Sequence, residues 1–331
     1  MSLNVSPAKR PGTPNFRGGR ALVRAVVKFL VGGAIVLWGA ITLAFGVLKL
    51  VPGDPVDVML GPMSSVPPEV RAEIRANLGL DEPVLVQYFS YLGRVLQGDL
   101  GQSYQQHKPV AQILGEQAVP TMLLALFALV LAIAIAVPAA LATRRGFLRG
   151  LANFTELIAV SAPVFWTAML LASIFSYQLQ WLPVIGGNEF TRLILPAVSM
   201  ALPISGVLAQ VLRQGLDRAE NQPFTLTVLA RGRSRTALVA THTLRHALVG
   251  TLTLGGFIFG SLLGGAVLVE TVFARPGLGR VTLEAILGRD LPVVMGVVVL
   301  SGVVFIVINL VVDLLALVID PRLRPNRAVA P

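Results

Sequence analysis

Few residues in this sequence could support catalysis or hold a catalytic metal. It has no cysteine and only three histidines, of which His242 and His246 lie four residues apart. That spacing puts two imidazoles on one helix face, where they could share a metal ion, although two polar residues beside a basic segment is the simpler interpretation. None of the four lysines follows a glycine, so the glycine-rich loop that ends in Gly-Lys-Ser or Gly-Lys-Thr and cradles ATP phosphates is missing. The sequence therefore predicts a non-enzymatic chain that binds no cofactor or metal ion itself.

One acidic residue lies well inside an apolar stretch. Asp313 follows Asn309 by four residues, which places both side chains on the same helix face. Ionisable groups in lipid are costly and normally face protein or a water-filled cavity. Two interpretations stay open. Asp313 could serve a gate or pair with a basic loop, or it could bond to a neighbouring helix for purely structural reasons, which we favour.

The basic segment 213–245 carries the clearest local signals. Pro223 begins a short run that would be helical, and one side of that helix would carry Phe224, Thr227, Val228 and Arg231. Gly232 stands where a helix ends in a left-handed residue, and Ser234 is suited to cap a new helix. Such a projection could dock in a groove on another protein. It could equally rest on anionic lipid, because it contains Arg231, Arg233 and Arg235.

These residues must be positioned by a scaffold that lies in a membrane. Of the 331 residues 54% are hydrophobic and only 13% are charged, whereas a soluble domain is about a quarter charged. This composition excludes a soluble enzyme, a disordered chain and a nucleic-acid binder. A bilayer crossing needs roughly 20 apolar residues. Six stretches without Lys, Arg, Asp or Glu reach that length, namely 29–48, 117–143, 157–188, 193–212, 246–269 and 291–312. The third is too long for one crossing, so we expect it to leave the membrane near 177–183.

The distribution of charge predicts which side each segment faces. Of the 27 Lys and Arg residues, 18 lie in 1–28, 144–156, 213–245 and the tail from 320. Basic residues remain in the cytoplasm, so both termini are predicted to be cytoplasmic, with tails at 1–28 and 321–331. No small-residue cleavage site follows the first apolar stretch, so 1–28 is interpreted as a tail and not as a signal peptide.

The segment 52–116 is predicted to be extracytoplasmic and to contain two short amphipathic helices. Pro67 and Pro68 precede the first and Gly79 follows it. Its apolar face would carry Val70, Ile74 and Leu78. The second would end at Gly98, and its apolar face would carry Leu85, Tyr88, Leu92 and Leu96.

Several strings resemble the permease subunits of ABC importers, in particular the dipeptide/oligopeptide/nickel family. The segment PFTLTVLARGRSRTALVATHTLRHAL at 223–248 resembles that family's EAA loop through Ala230, Gly232, His242, Leu244, Arg245, Ala247 and Leu248. It departs from the loop's Glu-Ala-Ala motif at Leu226, Thr227 and Val228. Further similar strings are VPGDP at 51–55, NLGLDEPVLVQY at 77–88, GDLGQS at 98–103, SAPVFW at 161–166, ETVFARPGLG at 270–279, RDLPVVMG at 289–296 and NLVVDLLALVIDPRLRP at 309–325. The resemblance spans about residues 25–325, in the family's order.

The resemblance implies an all-α polytopic membrane protein with the type I ABC importer permease fold. It places a first transmembrane helix at 29–51, the extracytoplasmic helical segment at 52–116, and a five-helix core at 117–320 with its coupling loop at 213–245. The chain would work in the bacterial inner membrane with a second permease chain, two ATPase subunits that use ATP and Mg²⁺, and an extracytoplasmic solute-binding protein, and with no nucleic acid. The solute would be a di- or oligopeptide, with nickel or another small solute as the alternative.

The resemblance also implies roles for particular residues. Contact with the ATPase would involve Phe224, Thr227, Val228, Ala230, Arg231, Gly232, Arg233 and Arg235. The loop that faces the binding protein would contain Glu270, Arg275, Pro276, Gly277 and Gly279. Two interpretations of other classes remain, a stand-alone secondary carrier or channel and a membrane scaffold that only recruits a partner.

Overall fold

The computed structural model describes residues 18–50, 54–60, 66–77, 79–143 and 146–319. Within these ranges the chain is helical, and its strand-like pairing is confined to an isolated bridge between Gln102 and Pro109. The α-helices in chain order are α1 (Gly18–Leu50), α2 (Pro55–Leu60), α3 (Pro68–Asn77), α4 (Val84–Leu96), α5 (Val110–Ala142), α6 (Phe147–Ser161), α7 (Val164–Leu171), α8 (Glu189–Glu220), α9 (Pro223–Ala230), α10 (Arg235–Leu238), α11 (Leu244–Val272), α12 (Leu278–Leu287) and α13 (Leu291–Ile319). Most of the predicted tails 1–28 and 321–331 lies outside the described residues.

Five of these helices are long and apolar enough to cross a bilayer, and they are α1, α5, α8, α11 and α13. A sixth crossing results when α6 and α7 are counted together with the π-helical turn Ala172–Gln178 that extends α7. The predicted all-helical polytopic fold is therefore confirmed. Backbone amides in hydrocarbon must be paired within their own segment, which is why the apolar stretches fold as helices.

The third predicted span differs from its expectation. The stretch 157–188 is not one helix, because the chain bends by 98° between α6 and α7. Ala162 at the bend has extended backbone angles, as the residue before a proline prefers, and Pro163 has no N–H to continue the ladder. The helical turn ends at Gln178, close to 177–183, where the stretch is predicted to leave the membrane.

The fourth predicted span, 193–212, is too short. The helix α8 begins at Glu189 and continues to Glu220, so residues 213–220 of the predicted coupling loop are part of a long helix. At the other end of that loop, Arg235 already begins α10. Only residues 221–234 of the predicted loop lie between α8 and α10, and they contain the short helix α9.

The extracytoplasmic segment contains the two predicted helices, α3 and α4, and the buried face of α4 overlaps the predicted one only in part, because Tyr88 and Leu92 are half-buried. Leu85 and Leu96 are 71% and 83% exposed, whereas Tyr91 is only 8% exposed. Tyr91 packs with Ile41 of α1 and Met295 of α13. The ring of Tyr91 therefore anchors α4 against the membrane helices. Leu78 of the first predicted face lies outside the described residues.

The core of the bundle is the contact between α5 and α8. A line of alanines on α5 is 2% exposed or less and comprises Ala125, Ala128, Ala132, Ala136 and Ala140. Leucines of α8 belong to the same buried cluster, among them Leu208, Leu212 and Leu216. Small residues let helix backbones approach closely in lipid, where packing replaces the hydrophobic effect as the force between helices. This contact makes α5 and α8 the rigid centre of the protein.

Interhelical hydrogen bonds define the two ends of the bundle. At one end, here called the inner end, Arg213 of α8 donates to the Thr143 hydroxyl after α5 over 3.0 Å. At the other, the outer end, the Thr121 hydroxyl of α5 donates to Glu270 near the end of α11 over 2.5 Å. The charge distribution predicts that the inner end faces the cytoplasm. The elements that could bind partners lie at both ends.

Candidate functional site

The irregular segment 221–234 forms an elbow at the inner end of the bundle. It runs from the end of α8 to the start of α10 and contains the short helix α9 and a turn at Gly232. Gly232 has φ +78°, a left-handed conformation that costs an L-residue with a side chain more than it costs glycine. Its N–H donates to the Leu229 carbonyl over 2.9 Å and ends α9. The predicted glycine turn is confirmed.

Ser234 joins the elbow to the next helix as predicted. Its hydroxyl accepts from the Ala237 N–H over 3.3 Å, and its carbonyl accepts from the Leu238 N–H over 3.0 Å. From α10 the helix continues through a π-helical turn, Val239–Thr243, directly into α11. Any displacement of the elbow is therefore transmitted to a membrane-crossing helix without an intervening loop.

Thr225 anchors α9 at its other end. It is 8% exposed, and its hydroxyl donates to the Ala219 carbonyl of α8 over 3.2 Å. Sequence reasoning missed Thr225, although a threonine two residues after Pro223 is a common way to bond back to a preceding helix end. The elbow is thus tied to α8 at one end and to α11 at the other.

The exposed face of α9 differs from the predicted one. Phe224 and Val228 are half-buried against the bundle, whereas Thr227, Ala230, Arg231 and Arg233 are exposed. Leu226, at the first position of the family's Glu-Ala-Ala motif, is 74% exposed. The predicted side of Phe224, Thr227, Val228 and Arg231 is therefore divided, because its two polar members are exposed and its two apolar members are half-buried. The side chain of Arg235 lies outside the described residues. Leu226 is the largest apolar side chain that α9 presents to solvent.

A buried carboxylate locks the outer end of the bundle. Glu270 is fully buried and accepts from the Gly279 N–H over 2.8 Å and from the Arg280 N–H over 3.2 Å. The Thr121 hydroxyl donates to the same carboxylate and accepts from the Leu278 N–H over 2.8 Å. These bonds satisfy the free N–H groups at the start of α12, and the negative charge suits that end of a helix.

Most residues of the loop that was predicted to face the binding protein are buried around Glu270. Glu270, Arg275, Gly277 and Gly279 are all buried, and Pro276 is exposed. A Cβ on Gly277 would lie 2.1 Å from the Glu270 Oε1, and one on Gly279 would lie 2.4 Å from the Val267 Cα. Of these five residues, only Pro276 lies at the surface of the chain, and the other four form the interior of the loop.

Arg275 is the second charged residue of this loop that turns inward. It is 6% exposed, and its N–H donates to the Glu270 carbonyl over 2.8 Å. Burial lowers the pKa of the Arg275 guanidinium, and the charge of Glu189 at the start of α8 partly offsets this. The side chain therefore adds a positive charge beneath the loop and not on its surface.

Asp290 fixes the extracytoplasmic segment to the bundle. It is 2% exposed and accepts from the Ser103 hydroxyl, from the Tyr104 N–H over 3.1 Å and from the Gln105 N–H over 3.2 Å. Burial, followed by the negative charge of Asp290, raises the pKa of the Tyr104 phenol. The turn between α12 and α13 and the chain before α5 thus form one surface at the outer end.

The polar residues within α13 do not form the predicted interhelical bond. The Asn309 side-chain amide donates to the Phe305 carbonyl of its own helix over 2.8 Å. Asp313 is exposed and bonds to no other described residue. Both interpretations of Asp313, as a gate and as a bond to a neighbouring helix, stay without support in this single chain.

No described part of the chain assembles a reaction centre. Among the described residues no group of three His, Asp or Glu side chains is arranged to hold a metal ion, and the side chains of His242 and His246 are not among them. The described geometry instead provides two structural features. They are the elbow at the inner end and the loop that Glu270 holds in place at the outer end.

Comparison with known proteins agrees with this geometry. The family described as binding-protein-dependent transport system inner membrane component matches residues 128–325, and its N-terminal region matches residues 22–125. A protein of Brucella abortus (strain 2308) that is assigned to a peptide transport system as its permease is 39% identical over 294 residues, which is 85% of this chain and 93% of that protein. The glutathione transport system permease protein GsiC of Salmonella typhimurium (strain LT2) is 36% identical over 307 residues, or 92% of this chain and 99% of its own.

A solved structure has the same fold. In the inward-facing structure of the methionine ABC transporter MetNI, one chain aligns over 63% of this chain and 97% of its own length, with a TM-score of 0.51 at 16% identity. Members of the family are non-catalytic subunits of ABC transporters, which work with a separate ATPase and with a substrate-binding protein. The two family matches, together with the helical bundle and its inner elbow, show that this chain belongs to the binding-protein-dependent transport system inner membrane components, the permease subunits of ABC importers.

Proposed function

We propose that this chain is one of two permease subunits of an ATP-driven importer of di- and oligopeptides. The peptide substrate is supported by relatives that are named for peptide and glutathione transport and that align along nearly their whole length. Nickel or another small solute is the alternative substrate. A stand-alone carrier or a scaffold no longer fits, because members of this family are subunits of binding-protein-dependent systems.

The observation that carries the mechanism is the attachment of the elbow to two bundle helices. Thr225 ties α9 to α8, and Ser234 begins the helix that continues into α11. An ATPase subunit that binds α9 would therefore move both helices together. ATP can drive the permease between conformations only if the ATPase binds the two conformations with different affinities. The elbow would convert that difference in affinity into a displacement of the membrane helices.

The contact with the ATPase is proposed to centre on Leu226. This leucine is the most exposed large apolar side chain of α9, and Thr227, Ala230, Arg231 and Arg233 are also exposed on the elbow. An apolar side chain that is presented on a short helix suits a groove on a partner. The arginines would supply charge at the rim, where it affects the rate and specificity of docking more than the affinity.

The proposed assembly has two permease chains, two ATPase subunits and one solute-binding protein, in the inner membrane with both termini in the cytoplasm. This orientation is supported by the basic residues of 213–245. The binding protein is proposed to dock on the outer surface built around Asp290, where the turn between α12 and α13 lies beside residues 103–105. ATP and Mg²⁺ would be bound by the ATPase and not by this chain.

Uptake of labelled dipeptide by cells that carry the variant Gly232→Pro tests the proposal. Proline cannot adopt φ +78° and lacks the N–H that ends α9. We expect the variant to insert and to bind its partner permease but to lose uptake. Gly186→Pro is the matched control, because Gly186 has φ +82° in open space far from the elbow. Unchanged uptake in Gly232→Pro would remove the elbow from the coupling mechanism.

A further inference from the structure

A cavity of about 430 Å³ opens at the inner end, between α8, the elbow and the start of α11. Its back wall is the close approach of α8 to α11, where a Cβ on Gly215 would lie 3.0 Å from the Ala247 Cα. Phe224 of the elbow forms another wall. The cavity is therefore bounded by α8, the elbow and α11, which are the elements that an ATPase bound to α9 would move.

The polar groups of this cavity come from one side of α8 and its continuation. Gln214 and Arg218 are one helical turn apart, and Gln222 follows one turn later. All three side chains are exposed to solvent. Two amides, one guanidinium and one aromatic ring thus face a common space.

Arg218 is a cation without a carboxylate partner. Within the part of the chain that the structure describes, it forms no ion pair and no side-chain hydrogen bond. The adjacent acid, Asp217, is already paired with Arg149 over 2.9 Å. A guanidinium in a concave site binds carboxylates in a two-pronged geometry, so the cavity has an open position for an anion.

We infer that this cavity is the inner end of the solute path and that Arg218 binds the terminal carboxylate of a peptide as it leaves. The two glutamines would bond to the peptide backbone, whose amide groups they match as donors and acceptors, and Phe224 would contact an apolar side chain. This inference rests on the proposed function. It adds a binding site whose walls belong to the elements that an ATPase bound to α9 would displace.

The first test does not depend on transport of any peptide. The chain has no cysteine, so Gln214→Cys supplies the single thiol of this subunit. Its labelling by water-soluble thiol reagents of opposite charge can be carried out in the purified importer and measured on this subunit after the subunits are separated. We expect the anionic reagent to react about tenfold faster than in the same variant with Arg218→Gln, because the guanidinium concentrates anions in the cavity. Val303→Cys, on the exposed face of α13, should react slowly with both reagents. Equal rates with and without Arg218, or no reaction at position 214 in the assembled importer, would overturn the inference.

The second test asks which solute the site binds. Arg218→Gln should weaken uptake of dipeptides with a free carboxyl terminus by about tenfold, the loss expected for a charge-assisted hydrogen bond. It should leave uptake of the same dipeptides with an amidated carboxyl terminus unchanged, and Arg218→Lys should restore part of the difference. An equal loss for both peptide forms would overturn the inference, as would a loss that appears only in vesicles with anionic lipid. If wild-type importer transports no peptide while the thiol test succeeds, the proposed substrate fails and the anion site stands.

Discussion

Arg213 of α8 and Glu156 of α6 form an ion pair that is withdrawn from solvent, with residue exposures of 2% and 7%. The same guanidinium donates to Asn153 over 2.6 Å and to the Thr143 hydroxyl over 3.0 Å. One side chain thus joins α8, α6 and the end of α5. A buried charge is tolerated only when it is paired and hydrogen-bonded, and this network explains why α8 continues past the point at which its charge-free stretch ends.

Removal of one partner from this pair should be strongly destabilising. Glu156→Leu leaves the Arg213 guanidinium buried without its counter-charge, and such changes cost about 3–5 kcal/mol. The double variant Glu156→Leu/Arg213→Met should recover much of the loss. Asp217→Asn, in the partly exposed pair with Arg149, is the control and should cost less than about 1 kcal/mol. Thermal unfolding of the detergent-purified chain measures all three, and equal loss in the single and double variants would contradict the assigned coupling.

Thr121→Val should loosen the outer lock. The substitution keeps the shape of the side chain but removes the hydroxyl that bonds both Glu270 and the Leu278 N–H, leaving a buried donor and acceptor unpaired at a cost of about 1–3 kcal/mol. Thr282→Val is the matched control, because its hydroxyl bonds only to the Leu278 carbonyl of its own helix. Hydrogen exchange at the amides of Leu278, Gly279 and Arg280 should accelerate in Thr121→Val alone. Protection that stays the same in both variants would disprove the lock.

Tyr91 should make the stability of the chain fall at high pH. Burial raises the pKa of its phenol to about 12, a shift that nearby Arg94 opposes, whereas an exposed tyrosine titrates near pH 10. Because the folded state holds the proton more tightly, the stabilisation is complete below about pH 10 and is lost as the pH rises towards 12. Absorbance titration should show a phenol that ionises near pH 12 and that Tyr91→Phe removes, while the raised pKa of Tyr104 is unaffected by that substitution. A titration in which the four tyrosines ionise together near pH 10 would contradict the burial of Tyr91.

Leu226→Asp should uncouple the permease from its ATPase. A charge at the apolar tip of α9 would have to be desolvated in the partner's groove, so ATPase recovery with the tagged permease should drop while membrane insertion stays normal. Leu287→Asp is the control, since Leu287 is 76% exposed and lies on α12 at the outer end. Equal recovery of the ATPase with both variants would show that α9 is not the contact.

Local signals in the sequence predict local structure well. Gly232 and Ser234 were assigned correctly because a left-handed helix end and an N-cap depend on a few adjacent residues. The existence of six apolar stretches was also sufficient for the fold class, because lipid permits few backbone conformations.

Features that depend on distant partners were predicted poorly. Arg213 and Glu156 were taken as limits of apolar stretches, although each is buried by the other across α6 and α8. Glu270 was assigned to the partner-facing loop through the resemblance of residues 270–279 to the family, and local spacing gave no sign that its partners come from α5 and α12. The bend at Pro163 was missed because only the length and charge of the stretch were considered. Residues that are buried through tertiary contacts carry no signal in local spacing.

In the proposed importer, a separate ATPase subunit binds the exposed face of α9. Site-specific cross-linking tests it most directly in this cysteine-free chain. A photoreactive group attached to Leu226→Cys should cross-link the ATPase in the assembled importer, with a yield that changes when ATP is added, while the same group on Leu287→Cys should not. Cross-linking of the ATPase at 287 and not at 226, or at neither position in an active importer, would contradict the account.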